Sequence, residues 1–204
     1  MIRLLMNCLP AFFFVFLSCK DNSRPEPENK TTVTSQHTPV FNAAIDKMLE
    51  NYFDLSESFV NWDSAGIVMH SRALKMTLDS FALDGLLKDT VASAAAQEPL
   101  SNARVEISSI IADPSLAEKR ASFNLLSDNM KNLLSAVKYD RRKLYWQECP
   151  MAFDDTKPGY WLSPVDSIRN PYLGTKHPKY GSGMLECGGT KEVLDFTTGD
   201  TMRK

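Results

Sequence analysis

From Val40 to Val137, apolar residues recur three and four positions apart, the spacing of a buried helical face. Phe41, Ala44, Ile45, Met48, Leu49, Tyr52 and Phe53 form the first run, with Pro39 at its start. A second run opens at Asp63-Ser64, residues suited to capping, and continues through Ile67, His70, Leu74, Leu78 and Phe81. Residues 84–97 are less periodic but rich in helix formers. Pro99 then reads as the opening of a third helix that carries Ala103, Ile107, Ile110 and Ile111. For the fourth, Asp113 suits the cap and Pro114 the first helical position. Leu116, Arg120, Phe123, Leu126, Met130, Leu133, Leu134 and Val137 run along it. Short connections favour antiparallel neighbours, so the pattern predicts an all-α, four-helix up-and-down bundle.

The pattern lapses after Tyr139. Leu144-Tyr145-Trp146-Gln147 suits a short extended segment. From Cys149 to Gly189 prolines and glycines crowd the chain, which argues against helix. Phe153, Tyr160, Trp161, Tyr172 and Tyr180 lie among them, more aromatics than a disordered tail carries. The expectation is an irregular, aromatic-rich loop layer packed on the bundle, with Tyr160 and Trp161 joining the two.

The N-terminus bears on location. Arg3 precedes the apolar run Ala11–Leu17, too short for a comfortable membrane span, and Ser18-Cys19 leads directly into polar sequence. This resembles a bacterial lipoprotein signal in which Cys19 becomes the lipidated terminus, although Phe16 stands where leucine is usual. The reading divides the chain into a signal peptide (1–18), a disordered tether (19–39), a helical domain with a sulfur-bearing tail (40–196) and a frayed end (197–204). It places the protein in the cell envelope, lipid-anchored, with the periplasmic face of an outer membrane favoured. A net charge of −2 and the absence of a basic run give no support to nucleic-acid binding.

Chemistry concentrates in the tail. Of four cysteines, two lie at the N-terminus and two in the motifs Cys149-Pro150-Met151 and Met184-Leu185-Glu186-Cys187. Thiolate and thioether donors suit Cu(I), which makes Cys149, Met151, Met184 and Cys187 candidate ligands. His177 is the one histidine near them and a further candidate ligand, though one loop histidine is too little for a zinc site. A Cys149–Cys187 disulfide explains the same cysteines in an exported protein, with about 4 kcal/mol of stabilisation in the chain-entropy model. Both readings stand on the sequence. No phosphate loop, nucleophile elbow or His-Glu-x-x-His helix is present, and the sequence points to no enzyme.

The tail resembles the DUF3347 family. The residues that carry the likeness are Cys149-Pro150-Met151-Ala152, Gly159-Tyr160-Trp161-Leu162-Ser163, Ile168–Gly174 and Met184–Gly188, with Arg120, Phe123 and Ser127 on the fourth helix. The likeness spans roughly residues 41–194. Two departures are visible: Thr175–Gly183 is longer than the family's usual few residues, and Leu116-Ala117 stands where many relatives carry a histidine. Some relatives are fused to heavy-metal efflux adaptors. The resemblance therefore implies an accessory role in metal handling, with an efflux adaptor or another envelope protein as partner.

Overall fold

In the computed structural model, residues 35–86 and 89–198 are described. The expected signal peptide, Cys19 and most of the tether lie outside the described residues, as does most of the expected frayed end. Four helices come first: α1 (Pro39–Val60), α2 (Ser64–Ser80), α3 (Thr90–Ala112) and α4 (Leu116–Ala136). A short 3-10 turn, Leu83–Leu86, joins α2 to the segment before α3. Thr38, Asp63 and Asp89 cap the first three helices, each accepting a first-turn N–H through its side chain. Ser35 Oγ donates to Asp140 at 2.7 Å and the Gln36 N–H to the same carboxylate at 2.8 Å, which ties the entry of α1 to the end of α4.

Two helix boundaries differ from those the pattern predicts. Pro99 lies inside α3 rather than at its start. Ala96, Leu100, Ala103, Ile107 and Ile110 form one continuous buried stripe, and this packing carries the helix through a residue that cannot donate. Asp113 terminates α3, and Ser115 caps α4, its hydroxyl accepting the Glu118 N–H. Asp113 instead accepts the Ser115 N–H at 2.7 Å.

The all-α expectation is corrected by a three-stranded antiparallel sheet. Strands β1 (Leu144–Phe153), β2 (Lys157–Ser163) and β3 (Gly189–Leu194) lie in the order β2-β1-β3. The glycines and prolines that argue for an irregular layer are the punctuation of short strands. Asp154 and Asp155 both take positive φ and close the β1–β2 hairpin, with the Thr156 N–H donating to the Phe153 carbonyl at 3.1 Å. Pro150 falls where the register of β1 shifts between Cys149 and Phe153, so its missing N–H interrupts no ladder bond. The irregular part is confined to residues 164–188, between β2 and β3.

Helices and sheet share one core. Leu144, Trp146, Cys149, Trp161, Leu162, Tyr172, Leu173 and Leu194 are buried in the same cluster as the helical stripes. The residues of the Arg-x-x-Phe-x-x-x-Ser pattern on α4 make the joint. Arg120 Nε donates to the Pro171 carbonyl at 3.1 Å, and its guanidinium lies 4.0 Å from the Trp62 ring centroid. Phe123 stacks on Tyr52, ring centroids 5.5 Å apart, and also meets Phe59 and Tyr172. Ser127 donates to the Phe123 carbonyl at 2.7 Å, so the Tyr52 hydroxyl donates to Ser127, also at 2.7 Å. Tyr52 then accepts the Leu162 N–H at 3.1 Å. This relay links α1, α4 and β2 and satisfies every buried group along it.

Candidate functional site

The β1–β3 ladder runs from Leu144 opposite Leu194 to Glu148 opposite Gly189. Its end brings the next residues of each strand together, Cys149 on one side and Cys187-Gly188 on the other. Gly188 has φ +137, and a Cβ there would lie 2.2 Å from the Glu148 carbonyl. Only glycine permits that close approach, and it lets Cys187 fold back over β1. The two sulfurs lie 3.7 Å apart, both as free thiols. Cys149 is fully buried and Cys187 half-buried.

Burial pushes the Cys149 thiol up to about 11, from an ordinary value near 9.0. Hydrogen bonds from the Met151 backbone and the Asn170 side chain work the other way, favouring the thiolate, without cancelling the burial. Cys187 stands next to a turn in which its own N–H donates to the Met184 carbonyl at 3.1 Å. Met151 and Met184 are half-buried and pack against the core.

His177 has a different environment. Its ring stacks on Tyr180, with centroids 5.0 Å apart, and meets Trp62 edge-on at 5.9 Å. His177 and Gly181 exchange backbone hydrogen bonds, so the long stretch after Gly174 is a small hairpin. Lys179 and Tyr180 hold that hairpin to Asp155 in the β1–β2 turn. Burial lowers the His177 pKa, and Arg120 lowers it further. Among the described residues no group of three or more His, Cys, Asp or Glu side chains could hold a metal. The structure brings together two soft donors, the Cys149 and Cys187 thiols, a chemistry suited to Cu(I) rather than to a zinc site of four Cys or His ligands.

Arg120 is expected from sequence to find an acidic partner. Its bonds go instead to the Pro171 and Phe59 carbonyls, and burial lowers its pKa to about 10. Elsewhere, His70 stands 3.9 Å from Asp54, and Asp154 lies 3.6 Å from Lys157.

A family model described as "Protein of unknown function (DUF3347)" matches residues 48–142. Residues 48–142 belong to the DUF3347 family. The match covers most of α1 and all of α2, α3 and α4, and stops seven residues before Cys149 (149 − 142). It contains Arg120, Phe123 and Ser127, the residues through which the DUF3347 helices grip the tail. No curated protein and no solved structure matches the chain.

Sequence reasoning gives no role to Asn170. Its side chain is fully buried, and its Nδ2 donates to the Cys187 carbonyl at 2.9 Å. Its Oδ1 accepts the N–H groups of Tyr172 and Leu173 at 2.8 and 3.1 Å. The signal available in sequence is Asn170-Pro171, a turn-initiating pair. That pair announces the turn but not the carbonyl it reaches.

Proposed function

We propose that this protein is a cell-envelope accessory of metal handling that binds a soft metal ion, Cu(I) before others. Cys149 and Cys187 are the primary ligands, with Met151 and Met184 as weaker thioether donors. A lipid at Cys19 anchors the protein, and an efflux adaptor or another envelope protein is the partner. The reading rests on one observation: two sulfurs from residues far apart in the chain stand 3.7 Å from each other. A bound Cu(I) would supply a cation that both thiolates satisfy at once, replacing the protons that burial otherwise keeps on Cys149. Gly188 and the end of the β1–β3 ladder set where the sulfurs stand.

The test is Cu(I) competition against a chromophoric chelator, under reducing conditions. The wild-type domain withdraws one Cu(I) per chain. Cys149→Ser and Cys187→Ser each lower the affinity at least a hundredfold, and Met184→Leu lowers it by less. Affinity unchanged in both cysteine variants removes the pair from the reading.

The same 3.7 Å contact supports a second reading, a non-catalytic interaction module locked by a Cys149–Cys187 disulfide. A thiol count on protein purified without reductant and then denatured separates the two. Two free thiols in the mature domain favour the ligand pair, and none favours the crosslink.

A further inference from the structure

Asn170 ties the segment after β2 to the backbone of the turn that carries Cys187. It is fully buried, on the segment after β2, and it belongs to neither cysteine motif. Its Nδ2 donates to the Cys187 carbonyl at 2.9 Å. Its Oδ1 is fixed by two backbone N–H groups, Tyr172 and Leu173, so the amide cannot rotate away without leaving both unpaired. Its own N–H donates to the Leu185 carbonyl at 2.9 Å, inside the Met184–Cys187 turn, and its carbonyl accepts the Gly174 N–H at 3.0 Å. Five hydrogen bonds of the Asn170 backbone and side chain thus anchor a single residue between two turns.

We infer that Asn170 is a positioning residue which sets the separation of the Cys149 and Cys187 sulfurs by holding the Cys187 backbone. The turn that carries Cys187 has few anchors of its own. Among its backbone bonds, Leu185 to Ser182 and Cys187 to Met184 lie within the turn, and among the described residues only the two bonds to Asn170 tie it to the rest of the fold ahead of Gly188. Loss of the amide donor releases Cys187 from β1 and lowers the effective concentration of one thiol at the other. The consequence holds for any reaction that needs both sulfurs together, whether metal capture or oxidation. The inference rests on the reading that the two cysteines act as a pair, and its test does not require a metal.

The discriminating variant is Asn170→Asp. It keeps an oxygen to accept the Tyr172 and Leu173 N–H groups and removes the donor to Cys187. The readout is the equilibrium of the metal-free protein with glutathione. One molecule of glutathione disulfide oxidises the two thiols, an intramolecular S–S bond replaces the glutathione S–S bond, and both protons leave on two glutathione thiols. The variant lowers that equilibrium constant at least tenfold, about 30 mV in potential. Asn170→Ser, too short to reach the Cys187 carbonyl, gives the same direction and serves if the aspartate prevents folding. Tyr52→Phe loosens the fold through the Leu162 N–H, with no hydrogen bond to either cysteine or to Asn170, and leaves the constant within twofold of wild type. A constant within twofold in both Asn170 variants, an equal shift in Tyr52→Phe, or a wild-type pair that glutathione disulfide does not oxidise would each overturn the inference. Failure of the wild type to take Cu(I) sinks the metal reading alone and leaves the glutathione constants to judge Asn170.

Discussion

Cys149 is a small apolar residue in its resting state and a poor one once ionised. It is fully buried, and burial keeps its proton on to about pH 11, against an ordinary value near 9.0. The unfolded chain gives up that proton first as pH rises. Stability from this group is therefore complete below about pH 9 and is lost between pH 9 and 11, by about 2–3 kcal/mol. Urea unfolding at pH 8, 9.5 and 10.5 measures it. Wild-type protein loses stability across that range, and Cys149→Ala loses less, by about 2 kcal/mol at pH 10.5. Equal losses in both proteins would mean that the thiol is not the group responsible. Buried Tyr52 and Tyr172 also have raised pKa values through desolvation, so a residual alkaline loss remains in the variant.

The elements are joined by a few buried hydrogen bonds. Tyr52 sits on α1 and passes a hydrogen bond from the β2 backbone to Ser127 on α4. Tyr52→Phe removes the hydroxyl and leaves the buried Leu162 N–H without an acceptor. The expected cost is about 2–3 kcal/mol, more than a neutral hydrogen bond contributes alone, because the orphaned donor is also desolvated. Thermal unfolding or urea titration reads it directly. A change under about 0.5 kcal/mol would show that water replaces the hydroxyl there. The helices were legible in the chain because a three-and-four spacing needs only nearest turns to read it, and the stripe on α3 overrode the breaker at Pro99 for the same reason. The sheet was not. Its strands are short, Trp146 faces the core without clean alternation, and Pro150 and Pro158 occupy places where a strand tolerates them. The turn formed by Asp154 and Asp155 carries no glycine to announce it. The closeness of Cys149 and Cys187 depends on the β1–β3 ladder, a pairing across 38 residues that no local pattern encodes. Asn170 escaped notice for a related reason: its function lies in which carbonyl it meets.

At the scale of the molecule, helices and sheet have no core apart from each other. Trp161 and Tyr172 pack into the same cluster as Tyr52 and Phe123, and the β2 N–H groups of Tyr160 and Leu162 are taken by Asn124 and Tyr52 on the helices. A helical fragment ending at residue 142, where the family match stops, exposes that face. The whole domain is expected to unfold in one step, with far-UV circular dichroism and tryptophan fluorescence giving coincident urea transitions. Separate transitions would mean that the sheet melts from standing helices. The fragment 35–142 is expected to show no cooperative transition.

The hydrogen bonds from Ser35 and Gln36 to Asp140 give this arrangement a mechanical side. Tension along the N-terminal lead-in reaches the fold at Asp140, between the last helix and the first strand. It therefore loads two hydrogen bonds at that corner before it strains any strand pairing. Cys149 stands just past the end of the β1–β3 ladder, so that pull reaches the sulfurs only through the paired part of the strand.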